Sequence, residues 1–217
     1  MNREPDPLHA IARHRVVPVV EVLSADAAER LGEVLLAAGL PIVEITLRTT
    51  AALESIERLA GRLPDLLVGA GTVLTSEIAQ QAVDAGARFL VAPGFNPAVT
   101  RHAAVRGVPM IPGVATPTEI EAALAEGLTL LKLFPAAALG GPGYIGAIAA
   151  PYPGVRFIPA GGIGPDTLAD YLALPSVVAV GGTWIARASA LADGEFEGIR
   201  ARAAEAARIA SGVSWPA

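Results

Sequence analysis

Short, continuously apolar runs alternate along the chain with longer stretches in which apolar and polar positions mix and which tend to end in glycine. Eight of the apolar runs read as strands: Val16–Leu23, Ile42–Thr46, Leu66–Gly69, Phe89–Ala92, Pro109–Pro112, Leu130–Phe134, Arg156–Pro159 and Val177–Gly181. Their continuous apolarity suits strands buried on both faces, as in a parallel sheet. The stretches between them carry helix punctuation. Ser24 is placed to cap a helix over Ala25–Ala38, with Gly39 as its stop. Thr75 or Ser76 caps a stretch to Ala85 that Gly86 ends, and Thr116-Pro117 opens Thr118–Ala125, ended by Gly127. Pro165 or Asp166 opens a helix through Leu172, and a last helix runs from Glu195 to Ala210. Leu8–Arg13 reads as a short extra helix ahead of the first strand.

Eight β units with eight crossovers wind right-handed, into an open doubly wound sheet or a closed barrel. Eight regular units without a shift in composition favour the barrel. The fold expected is therefore α/β, a (β/α)8 TIM barrel with a short N-terminal helix, formed as one domain over residues 1–217. The chain is short for such a barrel, which typically takes ~250 residues. Strand four and the short helix after strand eight show the least pattern. No linker is visible, and no low-complexity tail beyond Ser211–Ala217.

Composition narrows the function. Hydrophobic residues make up 53% of the chain, enough for a sizeable core. The formal charge is −5 with no basic stripe, which disfavours nucleic-acid binding. The chain has no cysteine, so disulfides, thiolate metal sites and cysteine nucleophiles are excluded. Met1–Arg15 is charged, is broken by Pro5 and Pro7, and lacks the apolar core of a signal peptide. No run of about 18 apolar residues is free of Gly, Pro or charge, so no membrane span is expected. A cytoplasmic location fits these features. His9, His14 and His102 are scattered at no metal-ligand spacing, and no metal is expected.

The basic residues are unevenly drawn: fifteen are arginine and one is lysine. That lysine, Lys132, stands in the apolar run Leu128–Phe134 rather than on a solvated face. An amine can add to a ketone and lose water to give an iminium, an electron sink; arginine stays protonated and cannot. Lys132 reads as a nucleophile on this ground, against the alternative of a lysine snorkelling past a strand end or merely paired to a carboxylate. In parallel barrels chemistry sits where the strands end at their C-termini. Alternation places Leu130, Lys132 and Phe134 on one face of strand six, and Ile42, Glu44 and Thr46 on one face of strand two. With both faces inward, Lys132, Glu44 and Arg48 converge near the mouth. Glu44 can then move protons or serve only as an ion-pair partner, and Arg48 can hold an anion or lie on the surface. Gly161-Gly162 and Gly181-Gly182-Thr183 close strands seven and eight, where barrels commonly bind phosphate. Glu21 closes strand one; whether it is a charge at the mouth or a solvated residue stays open. Trp184 and Phe134 read as packing residues, with Phe134 also placed to wall the lysine.

At these residues the sequence resembles the 2-keto-3-deoxy-6-phosphogluconate (KDPG) aldolase family, which includes 4-hydroxy-2-oxoglutarate aldolases. The resemblance runs from Val16-Val17-Pro18-Val19 to Gly181-Gly182-Thr183-Trp184. Its specific parts are Glu44–Thr49, Val68–Leu74, Lys132–Ala136 and Gly161–Ile163. It implies a class I aldolase that cleaves KDPG to pyruvate and glyceraldehyde 3-phosphate, or acts on the galactonate epimer or 4-hydroxy-2-oxoglutarate. Lys132 falls on the Schiff-base lysine and Glu44 on the general acid/base. Arg48 and Thr72 fall on the groups holding the pyruvyl carboxylate, and Gly161, Gly162, Gly182 and Thr183 on the phosphate side. Pro93 and Phe134 fall on the pocket wall. A homotrimer acting on a small phosphorylated 2-keto acid, without metal or organic cofactor, is implied. Two positions depart from the common pattern: Ala160 stands where threonine is frequent, and Glu21 where an apolar residue, threonine or arginine is. The rival readings are a phosphate-binding barrel isomerase or synthase that forms no imine, and a non-catalytic phospho-sugar-acid sensor.

Overall fold

A computed structural model describes residues 6–214. The first helix, α1 (Pro7–His14), is capped by the Asp6 carboxylate and has its one fully buried side chain, Ile11, aimed into the barrel floor. It ends where Arg15 turns left-handed at φ 61° and its guanidinium donates to the Leu172 and Val213 carbonyls, both at 2.6 Å. Strands β1 (Val16–Val20), β2 (Ile42–Thr46), β3 (Leu67–Gly71), β4 (Leu90–Val91) and β5 (Met110–Ile111) follow, all parallel. After them come β6 (Gly113–Val114), β7 (Leu130–Leu133), β8 (Arg156–Pro159) and β9 (Val180–Gly182).

One sheet runs β5-β4-β3-β2-β1-β9 and the other β6-β7-β8. They join into a closed ring. β5 and β6 are two halves of one barrel strand parted at Pro112, which has no N–H to give a ladder. β8 meets the ninth strand's segment through single parallel bridges, Phe157 to Val177 and Ala160 to Gly181. The expectation of eight strands therefore holds, with moved edges. Strand one stops at Val20 rather than Leu23, strand three extends to Gly71, strand four shrinks to two residues, strand six stops at Leu133, and strand eight begins regular pairing only at Val180.

Helices α2 (Ala25–Ala37), α3 (Ala52–Arg62), α4 (Ser76–Asp84), α5 (Pro97–Val105) and α6 (Pro117–Ala125) cover the outside, followed by α7 (Gly141–Ala149), α8 (Pro165–Leu172), α9 (Ala188–Ala192) and α10 (Phe196–Gly212). The caps lie where the punctuation put them. The Ser24 hydroxyl accepts from Ala27 N–H, the Thr75 hydroxyl from Ile78 N–H, and Glu119 closes a capping box on Thr116. α3, α5 and α7 lie in crossovers that the pattern left without named helices. α7 is nearly uniformly apolar and small, with only Pro142 in its first turn to mark it, and α3 starts on Ala51 with no side-chain cap. The buried apolar side chains form one continuous cluster from Ile11 to Ala210. No described helix is long and apolar enough to cross a membrane.

Candidate active site

Side-chain parity decides what faces the barrel axis. Val17, Glu44, Phe89, Val91, Ile111, Lys132, Ile158 and Ala160 line one small interior space with Gly181. Glu44 stands on β2 and Lys132 on β7. Around the ring, β3, β4 and the split β5/β6 separate them on one side and β1, β9 and β8 on the other, so they face each other across the diameter. Only long side chains can meet from there. Lys132 Nζ and Glu44 Oε1 are 3.4 Å apart, with side chains 10% and 5% exposed. The space beneath them is only about 10 Å³, room for roughly one water. The pair therefore stands on an apolar floor with the mouth above it.

The neighbours are shaped around this pair. A Cβ on Gly71 would lie 2.8 Å from Glu44 Cγ and Cδ and closer still to Oε1, so only glycine at that strand end leaves the carboxylate its place. The Phe134 ring stands over the lysine, its centroid 5.5 Å from Nζ, where a cation gains from the ring's π face. The same ring lies against Gly161, which, like Gly162, has a positive φ (95° and 77°). Both glycines thus take a turn that other residues rarely adopt. Ala136 and Ala137 donate backbone hydrogen bonds to the Ala160 and Gly161 carbonyls, at 2.8 and 3.0 Å, tying the loop after β7 to the loop after β8. Phe134–Pro135 is a cis peptide.

The remaining residues singled out from sequence lie around the mouth. Thr72 follows β3 half-buried at φ 61°, a strained conformation for a β-branched residue of the kind that collects at functional sites. Pro93 is half-buried after β4. Gly182 is buried in β9, and Thr183 follows it, exposed. Arg48 does not join Lys132 and Glu44. Its guanidinium is turned to Glu21, 3.2 Å away, with side chains 62% and 34% exposed. Trp184 is buried, as a packing residue should be. Gly71 and the Ala136–Ala137 backbone shape the site without having been given a role from sequence; the one signal for Gly71 in the sequence is a glycine closing a strand, which many turns share.

Other features stay apart from this centre. A groove of about 610 Å³ lies at the opposite end of the barrel between α1 and the start of β3, with His9 and His14 on its wall. In such barrels that end serves stability rather than chemistry. Burial, with Arg13 beside it, holds the His14 imidazole below its ordinary value. His102 meets Gln80 at 3.1 Å on the outside of the barrel. Among the described residues no three His, Asp or Glu side chains gather as a metal-holding group.

Known proteins resemble this chain in sequence and in fold. The family described as "Aldolase: KDPG and KHG aldolase" matches residues 9–202. A 2-dehydro-3-deoxy-phosphogluconate aldolase of Treponema pallidum is 46% identical over 92% of this chain and 95% of its own. A KHG/KDPG aldolase of Escherichia coli K12 is 40% identical over 88% and 90%. The crystal structure of KDPG aldolase from Legionella pneumophila, with pyruvate captured at low pH as a covalent carbinolamine intermediate, superposes with a TM-score of 0.85. It is 36% identical, covering 96% of this chain and 98% of that one. With a closed parallel barrel, a lysine and a carboxylate meeting on its axis, and likeness along nearly the whole length, the chain belongs to the KDPG and KHG aldolase family.

Proposed function

We propose that this protein is a class I aldolase that cleaves 2-keto-3-deoxy-6-phosphogluconate to pyruvate and glyceraldehyde 3-phosphate, and makes the bond in reverse. The observation that carries the reading is the Lys132–Glu44 pair, 3.4 Å apart on an apolar floor inside the barrel. Glu44 Oε1 is placed to take the proton that the amine must shed. Lys132 Nζ then adds to the C2 ketone, and the carbinolamine hydroxyl takes that proton from Glu44 and leaves as water, which gives an iminium and returns Glu44 to a carboxylate. Glu44 takes the C4 hydroxyl proton, the C3–C4 electron pair moves into the iminium, and the aldehyde leaves. The resulting enamine is protonated at C3, and water releases pyruvate and the free amine.

Arg48 and Thr72 hold the pyruvyl carboxylate in this reading. Arg48 is exposed and monodentate on Glu21, which leaves donors of its fork free for a second anion. The turns at Gly161 and Gly162, with Gly182 and Thr183, take the distal phosphate, and Pro93 and Phe134 wall the pocket. Holding a remote phosphate orients the reacting carbons, so a substrate without it loses rate as well as affinity. The galactonate epimer and 4-hydroxy-2-oxoglutarate are the alternative substrates, and the pairing of both activities in the name of the E. coli relative supports keeping the latter. The chain acts as one domain, assembled as a cytoplasmic homotrimer on the family resemblance. Light scattering that gives the 22.1 kDa chain mass rather than three times it would overturn the trimer.

The deciding experiment is peptide mass after incubation with pyruvate and borohydride. Lys132 is the sole lysine, so the α-amino group is the one rival amine. A pyruvyl adduct on the Lys132 peptide is expected. A folded protein that stays unmodified would remove the imine mechanism and favour an isomerase or a sensor.

A further inference from the structure

The backbone ladder between β1 and β2 has its last rung where Val20 lies level with Ile45. Beyond that rung two threonine hydroxyls take its place. Thr46 donates to the Val20 carbonyl at 3.2 Å, and Thr49 donates to the Val22 carbonyl at 2.6 Å. The two acceptors flank Glu21 and the two donors flank Arg48, so the 3.2 Å ion pair between these residues is held in a frame. β3 backs the frame from the other side. Leu47 N–H donates to the Gly71 carbonyl and Arg48 N–H to the Thr46 carbonyl, both at 2.8 Å.

Thr49 is the member of this frame whose hydroxyl has an ordinary alternative. A threonine close ahead of a helix commonly offers its side-chain oxygen to the free N–H groups of the first turn. α3 starts behind Ala51, and no side chain caps it. The half-buried Thr49 hydroxyl is turned instead to the end of β1. Helix capping therefore does not account for it, whereas the placing of Arg48 does. A long, rotamer-rich side chain loses conformational freedom when it is fixed on an anion. A turn tied down at Thr46 and Thr49, with the guanidinium already drawn toward Glu21, removes part of that loss before an anion arrives.

We propose that Thr49 is a positioning residue, holding the turn that carries Arg48 so that the guanidinium is presented to the carboxylate of the 2-keto acid. This rests on the aldolase reading, in which Arg48 holds that carboxylate. Thr49 acts through Arg48 and touches no substrate atom. Its loss therefore weakens binding of every 2-keto acid alike, pyruvate included, and leaves the bond-breaking steps to Lys132 and Glu44.

The test measures KM and kcat for KDPG, and the pyruvate concentration that gives half-maximal borohydride trapping at Lys132. It uses the unaltered protein, Thr49→Val, Thr49→Ser, Arg48→Met and the double variant Arg48→Met/Thr49→Val. Valine keeps the shape of threonine and removes the hydroxyl; serine keeps the hydroxyl. Thr49→Val should raise both KM and the pyruvate concentration by about three- to tenfold, the worth of one hydrogen bond, with kcat within about twofold. Thr49→Ser should restore both. With Arg48 already replaced, the valine should add nothing, a coupling that a merely structural residue does not show. If Thr49→Val folds poorly in urea unfolding, Thr49→Ala removes the same hydroxyl with less bulk and carries the same expectation. Values within about twofold of the parent, or the same rise in the Arg48→Met background, would overturn the proposal. Failure of the underlying reading looks different. An unaltered protein without an adduct at Lys132 would remove the imine mechanism, and an Arg48→Met variant with unchanged pyruvate dependence would remove Arg48 from the carboxylate; either takes the role of Thr49 with it.

Discussion

Two ion pairs stand in this barrel a short climb apart. At the axis, Lys132 and Glu44 meet at 3.4 Å with side chains 10% and 5% exposed; at the rim, Arg48 and Glu21 meet at 3.2 Å with side chains 62% and 34% exposed. The distances are nearly equal, so distance does not distinguish them. Water does. Each member of the inner pair has lost its hydration and depends on its partner, and removing either strands a charge in apolar surroundings. The rim pair keeps much of its hydration and is worth little to the fold, which leaves it available to exchange partners with an incoming anion. The inner pair suits proton transfer to a reacting atom, and the outer one recognition.

Breaking the inner pair at the nucleophile gives the largest effect. Lys132→Arg keeps the charge and removes the addition chemistry; turnover in a coupled pyruvate assay should fall by at least about 10³-fold, with trapping abolished. A variant within a few-fold of the parent would end the imine mechanism. Next comes Glu44→Gln, which preserves shape and should cost about 10²- to 10⁴-fold in kcat, the usual worth of a placed acid/base. Single-turnover kinetics showing imine formation and cleavage both unimpaired would remove Glu44 from proton transfer.

Gly71→Ala sharpens the comparison, because its Cβ would strike the inner carboxylate. A displacement on the order of 1 Å should cost about 10²-fold in kcat. Near-normal kcat would mean that Glu44 tolerates another position. The smallest effect is thermodynamic. In urea unfolding Lys132→Met should lose about 3 kcal/mol and Arg48→Met less than about 1 kcal/mol. Equal losses would erase the distinction drawn between the pairs.

Most of the barrel was legible because its signals are local. A parallel strand buried on both faces must be apolar throughout, as Ile42–Thr46 is apart from Glu44 and Thr46, and a helix start needs a cap, as Ser24 and Thr75 provide. Strand ends were harder to place, since pairing depends on the neighbour: β3 runs on to Gly71 because Thr46 on β2 lies beside it. α7 stayed hidden because an evenly apolar helix shows no polar face. The inner pair was foreseen from parity. The turning of Arg48 away from it was not, because nothing local to Arg48 says that Glu21, 27 positions earlier, stands at the same rim.

By itself the sequence determined the kinds of group available: one amine in an apolar strand, a carboxylate of matching parity, and paired glycines closing strands seven and eight. Tertiary structure alone decided which of them touch. Closing eight strands into a ring puts β2 and β7 on opposite walls, so that contact depends on barrel diameter and side-chain reach, and exposure depends on height along the axis. Those are properties of the closed ring, and no stretch of chain carries them.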